Sequence, residues 1–210
     1  MSRPPRPHPL ARGPLVGRLD RLLGRLWAKD LCQCPSLDPA QLWAKAIRQG
    51  PAAGEAGGRS AAEVADFRAR LEQLCAALEQ EADLTNLGRT IAHGQLVRVL
   101  RQRLQLGALW LAQPDLPLTR LAPPIIVVGH MRGGTTRVHR LLAADPAHAA
   151  TRFCNSWNPV PASRGRPDLR PLWSGLSLAI ARRLDPWLDT IHPFGATRPD
   201  EELGWLAAAL

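Results

Sequence analysis

Apolar positions recur at helical spacing through roughly the first half of the chain and then give way to a short continuous β-branched run. Leu15, Leu19, Leu22, Leu23 and Leu26 share one side of a helix whose other side carries Arg18, Arg21 and Arg25. Asp38-Pro39 predicts a helix start, with an acceptor at the N-cap and a proline in the first turn, and the helix should run to Gly50. Residues 50–59 read as a flexible loop. Ser60 and Glu63 have capping-box spacing and open a long helix with the stripe Val64, Phe67, Leu71, Leu74 and Leu78. A further helical stretch after Thr85 carries Leu87, Ile91, Val97, Leu100 and Leu104, and residues 113–117 break the pattern. The character changes at Pro123-Pro124. Ile125-Ile126-Val127-Val128 predicts a buried strand, residues 129–134 a tight glycine loop, and the chain from Thr135 a helix with Val138, Leu141 and Leu142 facing inward, ending at Asp145-Pro146. The Pro- and Arg-rich residues 1–14 read as disordered.

Composition adjusts this picture modestly. A length of 210 residues suits one domain, or a domain with an appended segment, and a hydrophobic fraction of 45% permits a packed core. The formal net charge of +9 favours anionic partners without choosing among them. All basic residues except Lys29 and Lys45 are arginines, which together with the abundant Ala, Leu, Pro and Gly reads as a GC-rich coding bias. The arginines form no dense run interleaved with aromatics, so nucleic acid is not an expected partner. The basic amphipathic stretch 15–27 could make weak membrane-surface contact, although such helices more often pack on their own domain. Cys32-Gln-Cys34 is too tight for a zinc knuckle and no second Cys/His pair answers it, so the four cysteines are expected to be reduced thiols and no metal is expected. No run is apolar enough to span a membrane, and Arg18, Asp20, Arg21 and Arg25 interrupt any signal-peptide core, which together lead to the expectation of a cytoplasmic protein.

The chemistry concentrates in Gly129-His130-Met131-Arg132-Gly133-Gly134-Thr135-Thr136. Gly129 and Gly134 have the spacing of a nucleotide-binding P-loop, and Thr136 stands at its hydroxyl position. Glycines let the chain wrap closely around an anion, and the following helix turns its unpaired N–H groups and positive dipole end toward it. Thr135 and Thr136 can donate hydroxyls, and Arg132 a forked positive charge. The lysine position, however, holds Thr135. Without that lysine the loop is poorly equipped for ATP or GTP hydrolysis but can still hold a shorter anionic group such as a phosphosulfate.

Residues 125–142, IIVVGHMRGGTTRVHRLL, resemble the 5′-phosphosulfate loop of the PAPS-dependent sulfotransferases, whose bacterial branch typically shows an apolar strand, G-x-P-R-[ST]-G-T-T, an apolar residue and H-R-L-L. Residues 84–106 are similar to the helix preceding that strand. Asn158-Pro159-Val160-Pro161, Ile191-His192-Pro193 and Pro199-Asp200-Glu201-Glu202 resemble later family segments. Met131, Gly133 and Arg137 depart from the family pattern. The resemblance implies an α/β fold, a P-loop-type parallel sheet with flanking helices, here incomplete and preceded by a mainly helical N-terminal region. It divides the chain into a basic segment 1–36, a helical region 37–121 and a sulfotransferase-like part 122–210. It also implies 3′-phosphoadenosine 5′-phosphosulfate (PAPS) as sulfuryl donor, bound by Met131, Arg132, Gly133, Gly134, Thr135 and Thr136. The acceptor would be a small molecule bearing a hydroxyl or amine. His192 or Glu201 would be the base, and no metal would be needed. No strand–Arg–Ser segment for the 3′-phosphate follows Thr136, so the sequence reads as a truncated sulfotransferase. The alternatives are a non-catalytic helical remnant or interaction protein and, less favoured, a P-loop nucleotide kinase or ATPase.

Overall fold

The computed structural model describes residues 7–8, 11–51, 54–130, 133–161 and 165–209. Helices dominate: α1 (Pro14–Ala28), α2 (Pro39–Arg48), α3 (Ala61–Gln80), α4 (Asn86–Ala112), α5 (Thr135–Leu142), α6 (Phe153–Trp157), α7 (Arg170–Leu184), α8 (Leu188–Ile191) and α9 (Leu203–Ala209). Helices α2, α3 and α4 begin where the capping chemistry places them. The Asp38 carboxylate accepts from the Gln41 N–H at 2.9 Å at the head of α2. Ser60 and Glu63 close a reciprocal capping box on α3, and the Thr85 hydroxyl accepts from Gly88 N–H at 3.2 Å on α4.

The main core lies among α2, α3 and α4. Leu37, Leu42, Ala46, Phe67, Leu71, Cys75, Leu96, Val97, Leu100 and Leu104 are buried together, with Trp43, Leu74 and Leu78 packed against them. Burial pushes the Cys75 thiol up to about 11, which keeps it protonated and inert. Helix α1 packs on α4 and α7 without a fully buried residue of its own. It is pinned to the head of α4 by the Asp20 carboxylate, which accepts from Leu87 N–H at 2.9 Å, while the Asn86 amide donates to the Asp20 carbonyl. Cys32 and Cys34 are exposed free thiols. Among the described residues no helix is long and apolar enough to cross a membrane, and no group of His, Cys, Asp and Glu could hold a metal ion. The expected disorder of residues 1–14 falls largely on residues outside the described set.

The expected parallel sheet is absent among the described residues. Among the described residues there is no strand. The β contact they show is an isolated antiparallel bridge between Arg152 and Pro199. Residues 125–128 run extended without a backbone hydrogen bond to any described residue. Ile126 is 75% exposed and Val128 86%. A β-branched run becomes a strand only where a neighbour supplies the complementary N–H and C=O row, and no described residue pairs with this one. The helix that follows inherits the consequence: Val138 and Leu141, expected to face inward, are exposed because there is no sheet face for them to cover.

Candidate phosphate loop and the residues beside it

Helix α5 begins at Thr135, as the glycine loop predicts. Its N-cap is Gly134, at φ 85°, a left-handed conformation that a side chain would strain. No side chain caps this end. The helix closes on the Gly134 carbonyl through the N–H groups of Arg137 and Val138, at 2.9 and 3.1 Å, whereas the N–H groups of Gly134, Thr135 and Thr136 meet no acceptor among the described residues. Three donors without an acceptor among the described residues, at an uncapped helix start, suit an anionic group. Gly133, also expected in the cradle, spends its N–H on the His130 carbonyl at 2.9 Å, and Met131 and Arg132 lie outside the described residues.

The second half of the chain folds around α6. Phe153 is buried against Trp157 and Phe194, with ring centroids 5.7 Å apart in both pairs. Helix α9 crosses α6 so closely that a Cβ on Gly204 would lie 2.5 Å from the Ser156 carbonyl carbon, so the crossing admits only glycine. Helix α4 reaches this unit through Arg98 and Gln102, which both donate to the Trp157 carbonyl, at 2.8 and 2.6 Å. Burial, helped by the charge of Arg101, pushes the Arg98 guanidinium down to about 10. The Asn158 amide donates to the Ser174 hydroxyl at 3.1 Å, which places the Asn-Pro segment between α6 and α7.

The segment 192–201 is laid along the start of α6. Asp200 N–H donates to the Thr151 carbonyl at 3.0 Å, Phe153 N–H to that of Arg198 at 3.3 Å, and Cys154 N–H to that of Ala196 at 2.9 Å. This arrangement delivers the two expected base candidates differently. Glu201 meets the loop directly, its carboxylate accepting from the Thr136 hydroxyl at 3.0 Å. His192 stands one residue removed: its Nε2 lies 2.7 Å from Asp200 Oδ1, and its ring packs on Phe194 at 4.4 Å between centroids. The sequence assigns Asp200 no role, and Arg140 only that of a structural or solvated residue of the loop helix. Asp200 is 4% exposed and its Oδ1 also accepts from Glu201 N–H at 3.0 Å. Arg140, on the last turn of α5, donates to the Pro193 carbonyl at 2.9 Å and the Pro199 carbonyl at 3.4 Å, clamping both ends of the segment to the loop helix. The i+4 spacing of Arg140 from Thr136 was a usable signal; the pairing of Asp200 with His192, eight residues away through a non-helical turn, had none. A cleft of about 250 Å³ lined by Arg12, Val16, Leu87, Ile91 and Leu184 shares no residue with this arrangement.

The model of the sulfotransferase family matches residues 123–210. A solved structure, the sulfotransferase STF1 from Mycobacterium tuberculosis, is similar over 84% of the chain, at 27% sequence identity and a TM-score of 0.58. The chain spans about half of that structure's length, 48%. Comparison with curated proteins finds no significant match.

Proposed function

We propose that the chain, whose residues 123–210 match the model of the sulfotransferase family, carries the sulfuryl-donor site of a PAPS-dependent transfer to a hydroxyl or amine acceptor. The observation that carries the reading is the uncapped start of α5, where the N–H groups of Gly134, Thr135 and Thr136 meet no acceptor among the described residues and the Glu201 carboxylate accepts from the Thr136 hydroxyl. Those amides would hold the phosphosulfate oxygens, and Arg132 would add a charged fork.

Transfer requires the acceptor oxygen to attack sulfur as its proton departs and the bridging S–O bond breaks toward the nucleotide. Glu201 is one candidate for that proton, and its hydrogen bond to the loop supports it. His192 is the second candidate, held beside it through Asp200. The same contact has a cost: Thr136 now donates to a carboxylate, so its hydroxyl must be released before it can serve a phosphosulfate oxygen. The reading is tested with adenosine 3′,5′-bisphosphate and PAPS against the unaltered chain and Arg132→Ala. Thermal stabilisation by both nucleotides that disappears in the variant supports it. A chain whose melting is indifferent to both returns the molecule to a non-catalytic helical interaction protein.

A further inference from the structure

Asp200 is a buried carboxylate in an unusual position. One oxygen, Oδ1, takes two hydrogen bonds, from His192 Nε2 at 2.7 Å and Glu201 N–H at 3.0 Å. The other, Oδ2, is buried without a partner among the described residues. Burying an ionised carboxylate and leaving half of it unpaired is costly. An asparagine would accept the same two hydrogen bonds through one oxygen without burying a charge. A purely structural link therefore has no use for the carboxylate. The extra charge becomes useful only when its partner acquires a positive one.

We infer that Asp200 is a positioning residue that fixes His192 as the Nε2–H tautomer, so that Nδ1 presents its lone pair as a proton acceptor, linked through Asp200 to the Glu201 contact with the phosphate loop. This rests on the sulfotransferase reading of that loop. A carboxylate can only accept, so Nε2 must donate, and the basic nitrogen is then Nδ1, which meets no other described residue. As the acceptor oxygen bonds to sulfur, its proton passes to Nδ1. The electron pair of the bridging S–O bond leaves on adenosine 3′,5′-bisphosphate, and the imidazolium so formed lies against the Asp200 charge. The other charged groups around the ring are Arg140 from α5, which holds the Pro193 carbonyl, Arg182 from α7, which holds that of Phe194, and Arg198 and Glu201 from the segment itself. None of the three arginines donates to His192, so Asp200 alone sets its tautomer. Through Glu201 N–H the same carboxylate also anchors the residue that meets Thr136.

The test is long-range proton–nitrogen correlation on the chain labelled with ¹⁵N histidine, with His192 assigned by loss of its signal in His192→Gln. The unaltered chain should show His192 protonated on Nε2 when neutral. In Asp200→Ala the acceptor is gone and the preference for the Nε2–H tautomer should be lost. Neutral His192 protonated on Nδ1 in the unaltered chain, or a tautomer unchanged in Asp200→Ala, overturns the inference. Should Asp200→Ala fail to fold, the tautomer in the unaltered chain still decides. Stabilisation by adenosine 3′,5′-bisphosphate is followed in parallel. If the tautomer is as stated but the nucleotide has no effect, the positioning stands and the sulfuryl-transfer reading falls. If the nucleotide binds and the tautomer is wrong, only the role of Asp200 is lost.

Discussion

The contact between Glu201 and Thr136 places a negative charge at the mouth of an anion site, and its effect can be measured directly. A carboxylate within several ångströms of a bound phosphate opposes it by about 1 kcal/mol in a well-solvated setting. Glu201→Gln is therefore expected to bind adenosine 3′,5′-bisphosphate about 3- to 10-fold more tightly by titration calorimetry. Turnover in the same variant separates the two base candidates: its loss assigns the proton to Glu201, and its survival leaves the proton to His192. Weaker binding in Glu201→Gln would mean that the carboxylate organises the loop and does not oppose its ligand. A second residue-scale effect lies far from the site. The Ser60 backbone and hydroxyl hold the Glu63 carboxyl below the usual carboxylate range. A folded-state value below the unfolded one means that the stabilisation is present above the ordinary glutamate range and is lost as pH falls through the lowered value. Acid melting of α3 should therefore move to higher pH in Ser60→Ala, followed by circular dichroism.

At the scale of elements, two glycines carry different constraints. Gly134 is held at φ 85° with open space around the position of its missing Cβ, so Gly134→Ala would suffer backbone strain of about 1–2 kcal/mol and no clash. That strain falls on the start of α5, so the variant should lose nucleotide stabilisation while the melting of the rest of the molecule changes little. Gly204 faces the opposite situation. A methyl there would drive into the α6 backbone, and Gly204→Ala should cost about 1–3 kcal/mol by separating α9 from α6. Since Glu201 lies just before α9, that separation should also loosen its contact with Thr136. A Gly204→Ala chain with unaltered melting would show that the crossing has room to adjust.

For the whole molecule, stability is concentrated in the α2–α3–α4 core and the phosphate loop stands outside it. Phe67 is fully buried there with the Arg103 guanidinium 3.8 Å over its ring. Phe67→Ala should cost about 3–5 kcal/mol. Ile126→Ser, at an exposed site in the extended run, should stay within about 0.5 kcal/mol by chemical denaturation. A large loss in the second variant would mean that residues 125–128 are packed in solution. The ties between the core and the loop unit run through Arg98 and Gln102 to the Trp157 carbonyl, so these side chains are the route by which core damage would reach the site.

Local chemistry was legible in the residues themselves. Capping at Asp38, Ser60 and Thr85, the stripe containing Phe67 and Leu71, and the start of α5 at Thr135 all depend on groups within four positions of one another, and short-range sterics and hydrogen bonding decide them wherever the segment ends up. The loop likewise carried the family likeness, because a phosphate cradle is built from consecutive backbone amides. What the pattern could not decide was pairing. Ile125-Ile126-Val127-Val128 has the composition of a buried strand, yet a strand exists only with a neighbour, and only the tertiary structure showed that the described chain supplies none. Nor could spacing join His192 to Asp200, or Glu201 to Thr136, since those contacts are made by the return of segment 192–201 along α6, held by hydrogen bonds between residues some forty to fifty positions apart. Sequence determines what each residue is able to donate or accept, and the fold alone determines which partner it meets.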